Sequence, residues 1–197
     1  MNNLFTPQFT KQVIIGTKCK SRRDLFKKLK LNFNYRSANI DEKKVSNLKN
    51  NQNDALKIAI AKARHLSSKY KNKMIITFDT TILFKRKIIY KCTNPECCVR
   101  LLNSFSNKQH ILYTGMVFMV NNKIIQKKLT KTRILFNNND KKKISNYVKK
   151  NFKQIKSAVG CYNLEGMGID LFYSIDKSYY NVLGIDIINF LKLLRKV

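Results

Sequence analysis

Apolar positions along the chain follow two rhythms, one of strands and one of amphipathic helices. Residues 12–17 form a short apolar run with two β-branched Ile and read as a strand. It leads through Thr17-Lys18-Cys19-Lys20-Ser21-Arg22-Arg23-Asp24 into a helix carrying Leu25, Phe26 and Leu29, with Ser21 suited to cap it. Residues 31–35 read as a second strand. Across 54–70, Leu56, Ile60, Ala63 and Leu66 recur at helical spacing. Residues 73–77 are a buried strand (Met74, Ile75, Ile76) expected to stop at Phe78-Asp79, and 80–89 a hairpin turning at Lys85-Arg86. A helix over 94–105 follows. Two long strands come next, 110–120 and 123–135, joined by Asn121-Asn122 in a tight turn. Residues 140–150 form a helix with Asp140 at its positive end, 169–175 a strand, and 184–194 the closing helix. Helix–strand alternation early and antiparallel hairpins late predict a mixed α/β fold.

Composition narrows the class. At 44% hydrophobic the 197 residues can build a core of one domain or two small lobes. Only 6 Gly and 2 Pro, and no sustained heptads, exclude collagen, coiled coil and bulk disorder. No run reaches the roughly 18 apolar residues of a membrane helix, so no membrane partner is expected. The first residues lack the pattern of a secretory signal. We divide the chain into an N-terminal extension, 1–11, and a single domain, 12–197.

Charge is the unusual quantity: 40 Lys plus Arg against 11 Asp plus Glu give +29. Such a chain attracts phosphate, whether on nucleotides or on nucleic acid. The lysines are spread along the whole chain, as in Asn137-Asn138-Asn139-Asp140-Lys141-Lys142-Lys143, and this favours a compositional bias over a dedicated nucleic-acid arm. Five cysteines, an odd number without disulfide-framework spacing, point to thiols in a reducing, cytoplasmic setting. Cys92, Cys97 and Cys98 cluster without Cys-x-x-Cys spacing, so no zinc site is expected. His65 and His110 stand apart from any Ser or Cys motif and read as surface or structural residues.

With acids so scarce, their placement is informative. Asp79 follows a buried strand and precedes Thr80-Thr81, where a rigidly held carboxylate can serve chemistry beyond a strand end. The Thr17–Arg23 stretch, entering a helix, offers N–H groups and guanidinium to a phosphate. Asp41-Glu42 supplies paired acids in a loop, the hard oxygen ligands that a divalent cation carrying phosphate requires.

In this order the segments resemble the Maf family of nucleoside triphosphate pyrophosphatases. The family's Ser-x-Ser-x-x-Arg loop corresponds to Thr17-Lys18-Cys19-Lys20-Ser21-Arg22 and its Ile-Asp-Glu to Ile40-Asp41-Glu42. Ala61-Lys62-Ala63 matches its Ala-Lys-Ala, and Thr77-Phe78-Asp79 its strand end with the acid. Tyr90-Lys91-Cys92 stands for Gly-Lys-Pro, and Tyr113-Thr114-Gly115 is its Tyr-Thr-Gly. The late motif is Gly160-Cys161-Tyr162-Asn163-Leu164-Glu165-Gly166, and the last Ser178-Tyr179-Tyr180-Asn181-Val182-Leu183-Gly184. The chain departs from the pattern with Thr17 and Cys19 for serines, Thr77-Phe78 for two small residues, and Cys92 and Asp186 for prolines.

The resemblance implies a twisted mixed β-sheet flanked by helices, in two lobes with a central cleft, related to the inosine triphosphatases. It implies hydrolysis of a nucleoside triphosphate to monophosphate and pyrophosphate, the substrate being of 7-methyl-GTP, UTP or dTTP type. Asp79 would be the catalytic proton acceptor, with Glu42 and Asp79 holding a divalent cation, Mg or Mn. Thr17, Cys19, Ser21, Arg22, Lys62, Thr80, Lys91 and Glu165 would bind substrate. Family members acting on dTTP and UTP commonly carry Arg, Thr and Gln at the positions of Ser21, Thr80 and Glu165; those acting on 7-methyl-GTP carry an aromatic residue, Gln and Glu. Thr80 therefore matches one group and Glu165 the other. A basic nucleic-acid-binding protein without catalysis, or a catalytically weakened relative, is the alternative, and a homodimer is compatible with either.

Overall fold

The computed structural model describes residues 5–46 and 51–196; the start of the expected N-terminal extension, residues 1–4, lies outside them. The elements are α1 Pro7–Gln12, β1 Val13–Gly16, α2 Lys20–Lys28, β2 Asn34–Arg36, α3 Glu42–Ser46, α4 Asp54–Lys69, β3 Met74–Phe84, β4 Lys87–Ile89, α5 Pro95–Phe105, β5 Gln109–Val120, β6 Lys123–Phe136, α6 Lys141–Ile155, a 3₁₀ turn Met167–Leu171, β7 Phe172–Ile175, α7 Tyr179–Val182 and α8 Ile187–Leu194. Strand order in the sheet is β2-β1-β3-β5-β6-β7, with β4 paired to β3. The early strands β2, β1 and β3 are parallel, whereas β3–β4 and β6–β7 are antiparallel. The mixed α/β architecture expected from the sequence is the one observed. Among the described residues no helix is long and apolar enough to cross a membrane.

The chain divides into two compact units, one of residues 1–79, 114–130 and 183–197, the other of 80–113 and 131–182. In the first unit, strand alternation sorts side chains onto two faces. Val13, Ile15, Ile76, Phe78, Met116 and Phe118 pack on one face with Leu25 and Phe26 of α2 and Phe190 and Leu194 of α8. Ile14, Ile75, Val117 and Met119 pack on the other against Ala59, Ala63 and Leu66 of α4. The close approach of α4 depends on Gly115, where a Cβ would lie 2.5 Å from the Ala55 carbonyl oxygen. The second unit is built around aromatic contacts. Phe105 stacks on His110 with centroids 4.3 Å apart, and Phe136 meets Phe172 at 5.0 Å. Buried His110 joins Tyr162 Oη at 3.0 Å, and burial drives its pKa down from 6.5 to about 3, so it stays neutral as a structural residue.

Several sequence expectations shift. β3 does not stop at Phe78-Asp79 but continues to Phe84, because β-branched Thr80, Thr81 and Ile82 extend it to the Lys85-Arg86 turn. Ser21 does not cap α2. Cys19 is the N-cap residue, its N–H donating to Thr17 Oγ1 at 3.1 Å, and Ser21 falls inside the first turn. The segment expected as a strand over 169–175 begins as a 3₁₀ turn. The helix expected over 140–150 opens behind the Asp140 cap as read but runs on to Ile155.

Candidate active site

Asp79 is placed by the two-face logic of β3. Ile75, Thr77 and Asp79 alternate onto the α4 face, while Ile76 and Phe78 turn into the opposite core. β1 ends at Gly16, in register with Thr77, so its following loop leaves the sheet near the level of Asp79. On α4, Lys62 lies one turn from both Ala59 and Leu66, at the border of the stripe that packs on the sheet. That position carries its ammonium to Asp79 Oδ1 at 2.6 Å, where it donates a hydrogen bond, and to Glu42 Oε1 at 2.6 Å. Asp79 and Lys62 are largely buried, with side chains 10% and 13% exposed, and Glu42 is 43% exposed.

Burial is the first influence on Asp79 and raises its pKa above the ordinary aspartate value of 3.8. The Lys62 charge opposes this, Glu42 reinforces it, and Lys62's hydrogen bond and the Arg22 charge pull downward. The group is thus a carboxylate with raised basicity whose ionised form depends on neighbouring cations. Two carboxylates meeting one cation are also hard oxygen donors directed at a common point. The donor set suits Mg²⁺ or Mn²⁺, with the Lys62 ammonium marking where positive charge is stabilised.

Arg22, buried in the first turn of α2, donates from Nε to the Gly184 carbonyl at 2.6 Å, and its guanidinium lies 5.7 Å from the centre of the Phe78 ring. Phe78 is fully buried among Phe26 and Phe190, so the bulk of Thr77-Phe78 goes into the core and under Arg22. Thr77 Oγ1 donates to the Ala59 carbonyl at 2.6 Å and ties β3 to α4. Gly184 adopts φ +87°, and a Cβ there would stand 2.8 Å from an Arg22 nitrogen. Gly184→Ala therefore combines backbone strain with displacement of the guanidinium. We expect it to lower the melting temperature, and to weaken triphosphate binding more than it changes turnover, as separated by KM and kcat. Unchanged KM in a folded variant would show that Arg22 does not depend on this glycine.

The structure therefore brings together four of the sequence-selected residues, Arg22, Glu42, Lys62 and Asp79, all in one unit. Thr17, Cys19 and Ser21 lie in the same unit. Thr17 is buried and holds the turn, accepting from Cys19 N–H through Oγ1 and from Arg23 Nη2 through its carbonyl. Thr80, the next residue on β3, belongs to the other unit, as do Lys91 and Glu165. Lys91 is exposed two residues beyond β4, and Glu165 is exposed in a turn where its N–H donates to Asn163 Oδ1 at 3.1 Å. That turn is fixed by Tyr147 Oη, which accepts from Asn163 N–H at 2.9 Å.

Other acids are accounted for structurally. Asp41 does not lie with Glu42 in a loop as a ligand pair; its Oδ1 accepts from Lys43 and Lys44 N–H at the start of α3. Asp186, which stands where the family has proline, caps α8 and accepts from Thr130 Oγ1 at 2.7 Å. The role of Gly184 in seating Arg22 was not read from the sequence, although its presence in the last motif was the available signal.

Compared with protein-family models, the chain matches the family described as Maf-like protein over residues 12–197. A protein of Colwellia psychrerythraea named 7-methyl-GTP pyrophosphatase is 32% identical over 190 residues, covering 94% of this chain and 92% of its own length. One of Ruegeria pomeroyi named nucleoside triphosphate pyrophosphatase is 31% identical, covering 69% of this chain and 70% of its own. A dTTP/UTP pyrophosphatase of Clostridium tetani is 28% identical, covering 88% and 91%. With the match running from the first strand to the last residue, the chain belongs to the Maf-like protein family.

Proposed function

We propose that this protein is a hydrolase that splits a nucleoside triphosphate at its α–β anhydride, taking up water and releasing nucleoside monophosphate and pyrophosphate. The observation that carries the reading is the Glu42–Lys62–Asp79 cluster: a buried carboxylate of raised basicity, a second carboxylate and a cation, near the level at which β1, the parallel neighbour of β3, ends. The names of the relatives support the same chemistry.

In this reading Asp79 accepts a proton from water as its oxygen attacks phosphorus. Glu42 and Asp79 would hold a divalent cation, which would supply positive charge against the phosphate oxygens. Lys62 and Arg22 neutralise triphosphate charge, and Lys91 contributes a further cation from its loop. Thr17, Cys19 and Ser21 line the phosphate side at the entry to α2, where backbone N–H groups add to the field. We take the cytoplasm as its compartment, with Cys19, Cys98 and Cys161 as free thiols in its support. The deciding experiment is a panel of nucleoside triphosphates assayed for pyrophosphate release with Mg²⁺ or Mn²⁺. Release from at least one nucleotide, dependent on the metal, is expected; none from any, with intact binding to polyanions, would sink the enzymatic reading.

Glu165 is the residue we assign to base selection. A carboxylate only accepts hydrogen bonds, whereas the amide of Gln both donates and accepts. A guanine edge presents two adjacent donors and suits Glu; a uracil or thymine presents one donor between acceptors and suits Gln. Glu165→Gln is expected to move preference from purine toward pyrimidine triphosphates by about 1–3 kcal/mol if the contact is bidentate. The measurement is the ratio of kcat/KM for 7-methyl-GTP and GTP against UTP and dTTP. A protein that already prefers UTP or dTTP, with a ranking unmoved by the substitution, would remove Glu165 from this role.

A further inference from the structure

Four of the five cysteines converge within the second unit, although the sequence separates them into three segments. Cys92 lies in the loop after β4, Cys97 and Cys98 in the first turn of α5, and Cys161 in the loop after α6. The Sγ atoms of Cys92, Cys98 and Cys161 all lie within 4.8 Å of one another, and Cys92 is joined to Cys97 as a disulfide. This corrects the expectation of thiols throughout. The fifth cysteine, Cys19, is on the other unit. A buried cysteine by itself packs as a small hydrophobe, but packing alone does not require four sulfurs from three segments to share one place.

We propose that Cys92, Cys97, Cys98 and Cys161 hold one zinc ion as four thiolates when the Cys92–Cys97 disulfide is reduced. Zinc–sulfur bonds of about 2.3 Å in a tetrahedron set sulfurs roughly 3.8 Å apart, a spacing that the Cys92, Cys98 and Cys161 sulfurs, within 4.8 Å of one another, nearly have, and that Cys92 and Cys97 reach by separating once their disulfide is reduced. The four residues between Cys92 and Cys97 are within the spacing of structural zinc sites. Cys161, at φ 55°, is turned inward by a conformation uncommon outside glycine.

Supporting groups are in place around the sulfurs. The Cys161 sulfur accepts a hydrogen bond from the Cys92 backbone, the kind of outer contact that steadies a metal-bound thiolate. The N-terminal end of α5, at Cys97 and Cys98, favours negative charge on sulfur. A phosphine or dithiol supplies two electrons and two protons to convert the disulfide to two thiols. Zinc then displaces one proton from each of four thiols, leaving a tetrathiolate of net charge −2, which a chain of net charge +29 accommodates.

The consequence is local to this unit. Cys92 directly follows Lys91, at a position where the family has a ring-locked proline, and Cys161 opens the turn that carries Glu165. The zinc would fix both loops to α5, performing for Lys91 the restraint that proline performs elsewhere. The inference stands on the cysteine geometry and is independent of the proposed hydrolysis.

The test uses the purified chain in a phosphine reductant, loaded with zinc chloride and freed of excess by gel filtration. Elemental analysis is expected to give about one zinc per chain. Cobalt(II) chloride in its place should give the thiolate charge-transfer band and the intense visible bands of a tetrahedral sulfur site. Cys98→Ser and Cys161→Ser should lose the metal, while Cys19→Ser keeps it. If those serine variants fail to fold, the wild type decides: a thiol reagent should release zinc as it modifies about four cysteines per ion. Cobalt spectra without thiolate bands, full zinc retention by Cys161→Ser, or equal loss in Cys19→Ser would overturn the site.

Discussion

Asp79→Asn is expected to abolish pyrophosphate release, by about 10²- to 10⁴-fold, while leaving the protein at least as stable as before at neutral pH. The two halves have one cause. Burial raises the Asp79 pKa in spite of Lys62 and Arg22, so the ionised side chain costs stability in the folded state. A folded pKa above the unfolded one means that the native protein holds the proton more tightly, and the contribution of Asp79 to stability falls as pH rises through the folded pKa. The neutral amide escapes that cost. Melting temperatures of the two proteins should therefore converge in acid, where both side chains are uncharged, and separate toward neutrality with the Asn variant higher. The same raised pKa sets the acid limb of kcat/KM in the wild type above the ordinary aspartate range, since only the carboxylate can accept water's proton. Activity within about tenfold of wild type, or an Asn variant that melts lower at neutral pH, would contradict the assignment.

The elements of the first unit were legible where their side chains follow simple periods. Of the repeat Leu56, Ile60, Ala63 and Leu66, the last two lie in the buried stripe of α4 and the first two at its edge, packed with Ile75 of β3. Short helices were not: α3 and α7 have 5 and 4 residues, too few to show a helical repeat. α1 carried a readable signal, for Thr6 Oγ1 accepts from Phe9 N–H and Pro7 follows it. The far end of β3 was lost because a polar Asp79 interrupts its apolar run, and the strand tolerates that charge only because Lys62 and Arg22 attend it.

The residue types of the site were legible through the order of motifs, but their partnership was not. Lys62 and Asp79 are 17 positions apart, and only the packing of α4 on β3 makes them a pair. The sequence gives no hint that Phe78 faces away from Asp79 until the strand is known to continue regularly through both. The cysteine cluster was hidden for the same reason. Cys161 is remote in sequence, and without it the remaining three lack a fourth ligand and Cys-x-x-Cys spacing.

Lys62→Met should reduce kcat/KM by about 10²- to 10³-fold, the loss typical of removing one well-placed donor to developing charge. Met keeps the length and the apolar stem of the side chain while deleting the ammonium. Two effects add. The triphosphate loses a cation, and Glu42 and Asp79 lose the counter-ion that each contacts at 2.6 Å. Lys62 is the largest influence lowering the Asp79 pKa, so its removal should also move the acid limb of the pH profile upward. Lys142, exposed on α6, is the control: Lys142→Ala removes the same formal charge from a chain of net charge +29 and should leave kcat/KM near wild type. Raising the salt concentration sharpens the contrast, since it screens exposed lysines far more than one whose side chain is 13% exposed. Equal losses in the two variants, or an unmoved acid limb in Lys62→Met, would mean that diffuse positive charge, and not the Glu42–Lys62–Asp79 arrangement, acts on the substrate.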